Sequence, residues 1–124
     1  MQRFQLSVGE PWNFEGPDGP NRVVVDLVGF VGGPSLPNWQ DRYLLLKVVA
    51  PFTHKGERVA LLVASPRYEG DTLEGIVASG GTVGVSRVRP NAQLQPGSNL
   101  DPKGVEYIII GGLLPLREET PNVA

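Results

Sequence analysis

Apolar and β-branched residues recur along the chain in short runs separated by Gly, Pro and Asn. Such runs favour extended backbone, because β-branched and aromatic side chains pack well on a pleated surface, and Pro66 ends one of them. The runs are RFQLSV at 3–8, RVVVDLVGFVG at 22–32, DRYLLLKVVA at 41–50, RVALLVAS at 58–65, TVGVSRV at 82–88 and VEYIII at 105–110. The pattern predicts at least five β-strands.

The segment DTLEGIVAS at 71–79, between the fourth and fifth runs, admits two interpretations. As a helix it has Asp71 as N-cap, Glu74 three residues later for a capping box, and Gly80 as C-terminal cap. Its apolar side chains share one helical stripe: Leu73, Ile76 and Val77. As the first arm of a hairpin that turns at Gly80-Gly81, the segment alternates poorly between apolar and polar residues. The helix has a cost of its own, because a glycine in a helix interior is ~1 kcal/mol less favourable than alanine. We predict the helix.

The order of elements from residue 22 onward is then strand, strand, strand, helix, strand, strand. This is the element order of an OB-fold, a small Greek-key barrel whose helix closes one end. We predict a mainly β protein: a small closed or partly open OB-like barrel with five or more strands and one short helix near 71–79. The 124 residues make one domain, with residues 1–20 as an N-terminal extension and residues 118–124 as a flexible tail.

Composition narrows the chemical setting. The chain has no cysteine, which excludes disulfides, thiol catalysis and thiolate metal ligands and fits a cytoplasmic protein. Its apolar runs are too short to cross a membrane, and MQRFQLSVGEPW lacks the apolar core of a signal peptide, so we expect no membrane contact. The 16 Gly and 12 Pro are not periodic, which is typical of a turn-rich β domain. A net charge of −2 leaves only local patches to attract nucleic acid.

Catalytic and metal-binding patterns are missing from the sequence. No GxxxxGK[ST] or GxGxxG phosphate loop occurs, and no Ser, Asp or Glu stands in a recognisable nucleophile or acid–base setting. His54, the single histidine, lies in the loop PFTHKGE without further His or Cys to share a metal. We therefore expect no enzyme activity, cofactor or metal. The remaining alternative is a catalytic pair of carboxylates that are distant in sequence and meet only in the folded chain.

Two stretches carry a resemblance to a known family. NRVVVDLVGFVGG at 21–33 resembles the opening strand of OB-fold single-stranded DNA-binding proteins, with Asn, a basic residue, apolar residues and then Val-Gly. GGTVGVSRV at 80–88 resembles the strand after their helix, where Gly precedes an alternating apolar run. The resemblance spans residues 21–90 and implies a non-catalytic module that binds single-stranded nucleic acid.

Nucleic-acid binding by an OB-like barrel uses its second and third strands and the loops beside them, through aromatic faces for bases and cations for phosphates. Tyr43 and Lys47 share one face of the second of these strands, and Trp39 and Arg58 border it. We predict that these four residues belong to the site. The alternative is that the aromatics are core or loop anchors and the cations are ordinary solvated charges.

Three further arginines complete the predicted site. No acidic side chain occurs between residues 75 and 100, so Arg87 and Arg89 have no local counter-ion in the sequence. Together with Arg67 they are candidates for a clamp on a phosphate or carboxylate. The alternative is a solvated strand end, because charged residues are abundant on protein surfaces.

Trp12 and Phe14 lie in EPWNFEGPDGPN, among Gly, Pro and acidic residues. They either fold back as a lid on the barrel or stay exposed as anchors for a protein partner, since aromatic residues often anchor interfaces. The second option favours an alternative function. In it the barrel serves protein–protein interaction, or assembly as a homo-oligomer, without binding nucleic acid.

Overall fold

A computed structural model describes residues 2–8, 22–54, 56–90, 92 and 94–116. Within these ranges the chain forms six β-strands, one α-helix and one 3₁₀ turn. The elements in chain order are β1 (Arg3–Ser7), β2 (Arg22–Gly32), β3 (Arg42–His54), β4 (Glu57–Pro66), α1 (Leu73–Ser79), β5 (Gly81–Val88), the 3₁₀ turn (Pro102–Gly104) and β6 (Val105–Leu116). The predicted strands and the predicted helix are confirmed, and the hairpin alternative is excluded.

The strands close into one antiparallel barrel. Each strand pairs with the strands before and after it in the chain, and β1 pairs with both β2 and β6. The prediction of a small closed barrel with one short helix is therefore confirmed. The strands follow each other around the barrel in chain order, whereas a Greek key interrupts that order. The likeness to an OB-fold thus lies in size, closure and helix position.

The barrel core is filled by side chains that alternate along the strands, except where the register shifts between β2 and β3, β3 and β4, and β5 and β6. Alternation follows from the two-residue period of extended backbone, which sends successive side chains to opposite faces. The fully buried core residues include Phe4, Leu6, Val25, Leu44, Leu46, Val59, Leu62, Val83 and Val85. Burial of this apolar surface, at about 25 cal/mol per Å², is the main force that holds the barrel.

Helix α1 closes one end of the barrel, with Leu73 and Ile76 buried in the same core. Its N-cap is Thr72, whose Oγ1 accepts a hydrogen bond from the Gly75 backbone N–H at 3.0 Å, so the prediction of Asp71 was wrong by one residue. Glu74 forms a salt bridge with Arg42 of β3. The hydrogen bond from Arg42 lowers the pKa of the Glu74 carboxyl below its usual value.

The connection between β5 and β6 crosses the outside of the barrel, and we call residues 89–104 the strap. The Gly32 backbone N–H donates to Ser98 O at 2.8 Å, and the Leu100 N–H donates to Gly32 O at 2.7 Å. These bonds attach the strap to the end of β2. A second apolar cluster lies beneath the strap, made by Val31, Leu45, Val63, Val88, Leu100 and Val105, and Ala92 and Leu94 pack against this cluster.

Among the described residues, no helix is long and apolar enough to cross a membrane.

Candidate functional site on the outer barrel wall

Two adjoining grooves lie where the strap meets the outer wall of the barrel. The first groove has a volume of about 330 Å³, with an apolar lining from the wall and the strap and polar groups from Asn99, Asp101 and Lys103. The second groove, of about 190 Å³, lies between Arg58 of β4 and Arg89 of the strap. Val88 and Ala92 line both grooves, so the two grooves adjoin at these residues.

The return half of the strap is shaped by a local cap. Asp101 precedes the 3₁₀ turn, and its Oδ1 accepts a hydrogen bond from the Lys103 backbone N–H at 3.0 Å. The Arg89 N–H donates to Gly104 O at 2.8 Å, which joins the two ends of the strap. Asp at this position favours such a cap, because its short side chain reaches the backbone two residues later. The cap holds Asp101 and Lys103 in the lining of the first groove.

The cations of the two grooves differ in their counter-ions. Arg58 is exposed, and within the described ranges neither Arg58 nor Lys103 forms a salt bridge. Arg89 lies 3.6 Å from Oε2 of Glu106, a weaker contact than the one that Arg87 makes with the same carboxylate at 2.8 Å. The second groove therefore carries positive charge that Glu106 neutralises only in part, whereas the first groove is lined by one cation, Lys103, and one carboxylate, Asp101.

Arg87 points into the barrel, away from the outer wall. Its side chain is 3% exposed and lies 2.9 Å from Glu57 and 2.8 Å from Glu106. It also donates to the His54 carbonyl at 3.3 Å, so one guanidinium joins β3, β4, β5 and β6 at this end. The hydrogen bond from Arg87 to Glu106 raises the pKa of Arg87 above its usual value. Arg87 has no counter-ion nearby in the sequence, but two carboxylates distant in sequence neutralise it, so it does not contribute to the predicted clamp.

The predicted three-arginine clamp does not assemble. Arg67 follows the end of β4, which pairs with the beginning of β5, whereas Arg89 follows the end of β5. The two residues therefore lie at opposite ends of the barrel. Arg67 stacks on the neighbouring Tyr68 ring, with 5.9 Å between the guanidinium carbon and the ring centroid. Of the three arginines, Arg89 alone lines a groove.

The two predicted aromatics serve the packing of the outer wall. Trp39 and Tyr43 are half-buried, contact each other edge to face at 6.4 Å, and pack against the cluster beneath the strap. The Tyr43 hydroxyl also accepts a hydrogen bond from the Gln40 backbone N–H at 3.0 Å. Lys47 is exposed on the same strand, and it pairs in register with Leu61, which lines the second groove. Of the two site residues predicted on β3, Tyr43 and Lys47, it is therefore Lys47 that lies beside a groove.

Sequence reasoning missed the strap as a source of functional groups. The stretch from 89 to 104 reads as a long turn-forming connection, and its apolar residues Leu94 and Leu100 were the available signal that it packs on the barrel. Trp12 and Phe14 lie outside the described residues. Within the described part of the chain, no group of three or more His, Cys, Asp or Glu side chains is arranged to hold a metal ion.

Comparison of the chain with protein-family models, with curated proteins and with solved structures found no match. The grooves are therefore interpreted from their own chemistry. That chemistry is a mixed polar and apolar lining with three cations and the Asp101 carboxylate, and with no described cluster of metal ligands. Such a surface can hold a ligand that has both an anionic and an apolar part.

Proposed function

We propose that this barrel is a non-catalytic module that binds single-stranded nucleic acid across its outer wall, at the two strap grooves. The observation that carries the proposal is the meeting of Arg58 and Arg89 on one groove, directly beside the larger groove that Lys103 lines. Binding of single strands combines cations that follow the phosphates with surfaces that receive the bases. The two grooves supply both kinds of contact.

The phosphates would contact the cations of the second groove. Arg58 and Arg89 come from different elements, one from a strand and one from the strap, so the fold sets their spacing. Glu106 makes its shorter contact with Arg87 and only a 3.6 Å contact with Arg89, so Arg89 is incompletely neutralised, and Asp101 lies in the first groove rather than the second. With a net charge of −2, the protein attracts a polyanion only through this local patch, and salt screens that attraction.

A base would enter the first groove. Its volume of about 330 Å³ is in the range of small-molecule sites, and side chains such as Leu94, Leu100 and Val105 give it apolar walls. Asn99 lines the same groove and offers an amide that can both donate to and accept from a base edge. Contacts with aliphatic rather than aromatic side chains predict modest affinity, because stacking on aromatic rings supplies ~1–3 kcal/mol per base elsewhere.

The double variant Arg58→Ala/Arg89→Ala is expected to bind labelled oligo-dT about tenfold more weakly than the unmodified protein. Each exposed charge contact is worth up to ~1 kcal/mol, and two are removed. The slope of log K against log salt should also fall by about 0.7 for each phosphate that the variant no longer neutralises. Fluorescence anisotropy at about 50 mM and about 200 mM salt measures both quantities.

Arg67→Ala is the matched control, because it removes an exposed arginine from the opposite end of the barrel. Its affinity and salt slope should stay close to those of the unmodified protein. Absence of binding by the unmodified protein at micromolar concentration and low salt would refute the proposal. Equal weakening by Arg67→Ala would instead indicate unspecific attraction by overall charge.

A further inference from the structure

The outer face of β6 is apolar although it faces solvent. Tyr107, Ile110, Leu114 and Leu116 are 60%, 40%, 57% and 36% exposed. Outward positions of a barrel strand are ordinarily polar, because they gain nothing from burial. A continuous exposed apolar patch on a protein marks an interaction surface more often than a scattered apolar residue does.

A β-bulge makes this face regular. The register between β5 and β6 shifts beside Tyr107, which lies opposite Ser86, while Ile110 lies opposite Gly84 and Gly112 opposite Thr82. Their partners on β5 are Ser86, Gly84 and Thr82, which are two residues apart. The outward side chains of β6 are therefore evenly spaced along the strand, one in each row of the sheet, although β6 has an extra residue between Tyr107 and Ile110. The rows in order are Tyr107, Ile110, Gly112, Leu114 and Leu116, and we call them the β6 stripe.

The β6 stripe has a symmetric pattern centred on Gly112. Two large apolar residues lie on each side of this glycine, and a Cβ added to Gly112 would meet nothing within 4 Å. Its neighbours across the sheet are small and uncharged, Ser7 on β1 and Thr82 on β5. The adjacent rows add Gln5 and Gly84, so the three central rows contain no charge on β1, β5 and β6, and the exposed Arg22 of β2 lies on the far side of Ser7.

We propose that the β6 stripe binds a second copy of this chain, with a two-fold axis through Gly112. A two-fold interface uses the same patch on both subunits, so the patch must be complementary to itself. The axis places Ile110 against Leu114 of the other copy and Tyr107 against Leu116, with the two glycines facing each other. The residues of the stripe are distinct from those of the strap grooves, and the dimer does not depend on nucleic-acid binding.

The size of the stripe sets the strength of the dimer. Five rows at two residues per row span about 27 Å. The four large side chains expose roughly 400 Å² of apolar surface per copy, at about 150–250 Å² for a large side chain. Standard stable interfaces bury about 800 Å² per partner, so the stripe with its polar rim suits a weak, reversible dimer.

Sedimentation velocity on the unmodified chain from about 1 to about 500 µM should show a monomer–dimer equilibrium within this range. Leu114→Glu should raise the dissociation constant at least tenfold, because it places a charge in the uncharged centre of the interface. Leu36→Glu is the matched control, since Leu36 is 50% exposed in the turn before β3, and it should leave the dimer unchanged. Circular dichroism should show that all variants stay folded.

Mixing two variants tests the position of the axis. Ile110→Lys and Leu114→Glu should each be monomeric alone, whereas an equimolar mixture should regain dimer, because the axis puts the new lysine against the new glutamate and leaves one Ile–Leu contact intact. A mixture that stays monomeric would overturn the proposed axis. A chain that is monomeric at every concentration, or a dimer that survives Leu114→Glu, would overturn the proposal in favour of a different occupant of the stripe.

Discussion

Replacing Arg87 with methionine is expected to lower the free energy of unfolding by about 2–3 kcal/mol. Arg87 is 3% exposed and forms salt bridges with two carboxylates on the strands that flank β5, at 2.9 Å from Glu57 of β4 and 2.8 Å from Glu106 of β6. Methionine fills most of the volume but leaves both carboxylates without their shared cation. Removing one partner of a fully buried ion pair costs ~3–5 kcal/mol. The smaller value follows because Glu57 and Glu106 are 42% and 25% exposed and water can solvate them.

Urea unfolding followed by circular dichroism measures this destabilisation, with an unchanged m-value indicating that the folded barrel is otherwise intact. Two companion variants separate the causes. Arg89→Ala removes a half-exposed arginine with a 3.6 Å contact to the same Glu106 and should cost less than ~1 kcal/mol. Arg87→Met combined with Glu57→Gln and Glu106→Gln should recover at least half of the stability, because no uncompensated charge is left. A triple variant as unstable as Arg87→Met would show that packing, not charge, fixes this position.

The Arg87 ion pairs also show where sequence reasoning stops. The absence of acidic residues between 75 and 100 is a correct observation about the chain, but the counter-ions come from residues 30 positions earlier and 19 positions later. Arg87 has the same parity along β5 as Val83 and Val85, and like them it is buried. Local pattern thus predicts the direction of a side chain, whereas only strand pairing decides what it meets.

Helix α1 was predictable because its signals are local. The apolar spacing of Leu73 and Ile76, a polar residue before them and a glycine after them all lie within ten residues of sequence. The choice between Asp71 and Thr72 as N-cap was not predictable, since both residue types cap helices. Barrel closure by β1 was also hidden, because a five-residue run gives no indication of which two strands it will join.

The candidate site was predictable only in part. Lys47, Arg58 and Arg89 all fall at or beside the outer-wall grooves, because exposed cations on strands and strand ends remain on the surface whatever the topology. Lys103 and Asn99 could not be placed, because their positions depend on the path of the strap across the barrel. That path is fixed by backbone hydrogen bonds to Gly32, which leave no mark on the residue pattern.

Substituting Gly80 with alanine is expected to destabilise the protein by about 3 kcal/mol or more. Gly80 ends helix α1 with φ of 80° and ψ of −179°, a backbone conformation that is almost confined to glycine. A Cβ at this position would lie 2.4 Å from the Leu113 carbonyl oxygen and 3.0 Å from Cδ of Pro115. Relief of these contacts requires movement of the backbone of either the helix end or β6, because Leu113 is itself a buried core residue.

Gly70→Ala separates backbone strain from steric contact. Gly70 also has a positive φ, 96°, but a Cβ there would meet nothing within 4 Å, so its cost should be about 1 kcal/mol. The difference between the two variants, measured by urea unfolding, then reports the close approach of the helix end to β6. Equal destabilisation would contradict this account and would mean that φ alone determines both. A large effect confined to Gly80 would show that the close approach to Leu113 requires glycine, because the chain passes from the helix into β5 directly beside that residue. A two-residue hairpin turn at Gly80-Gly81 would not impose this constraint.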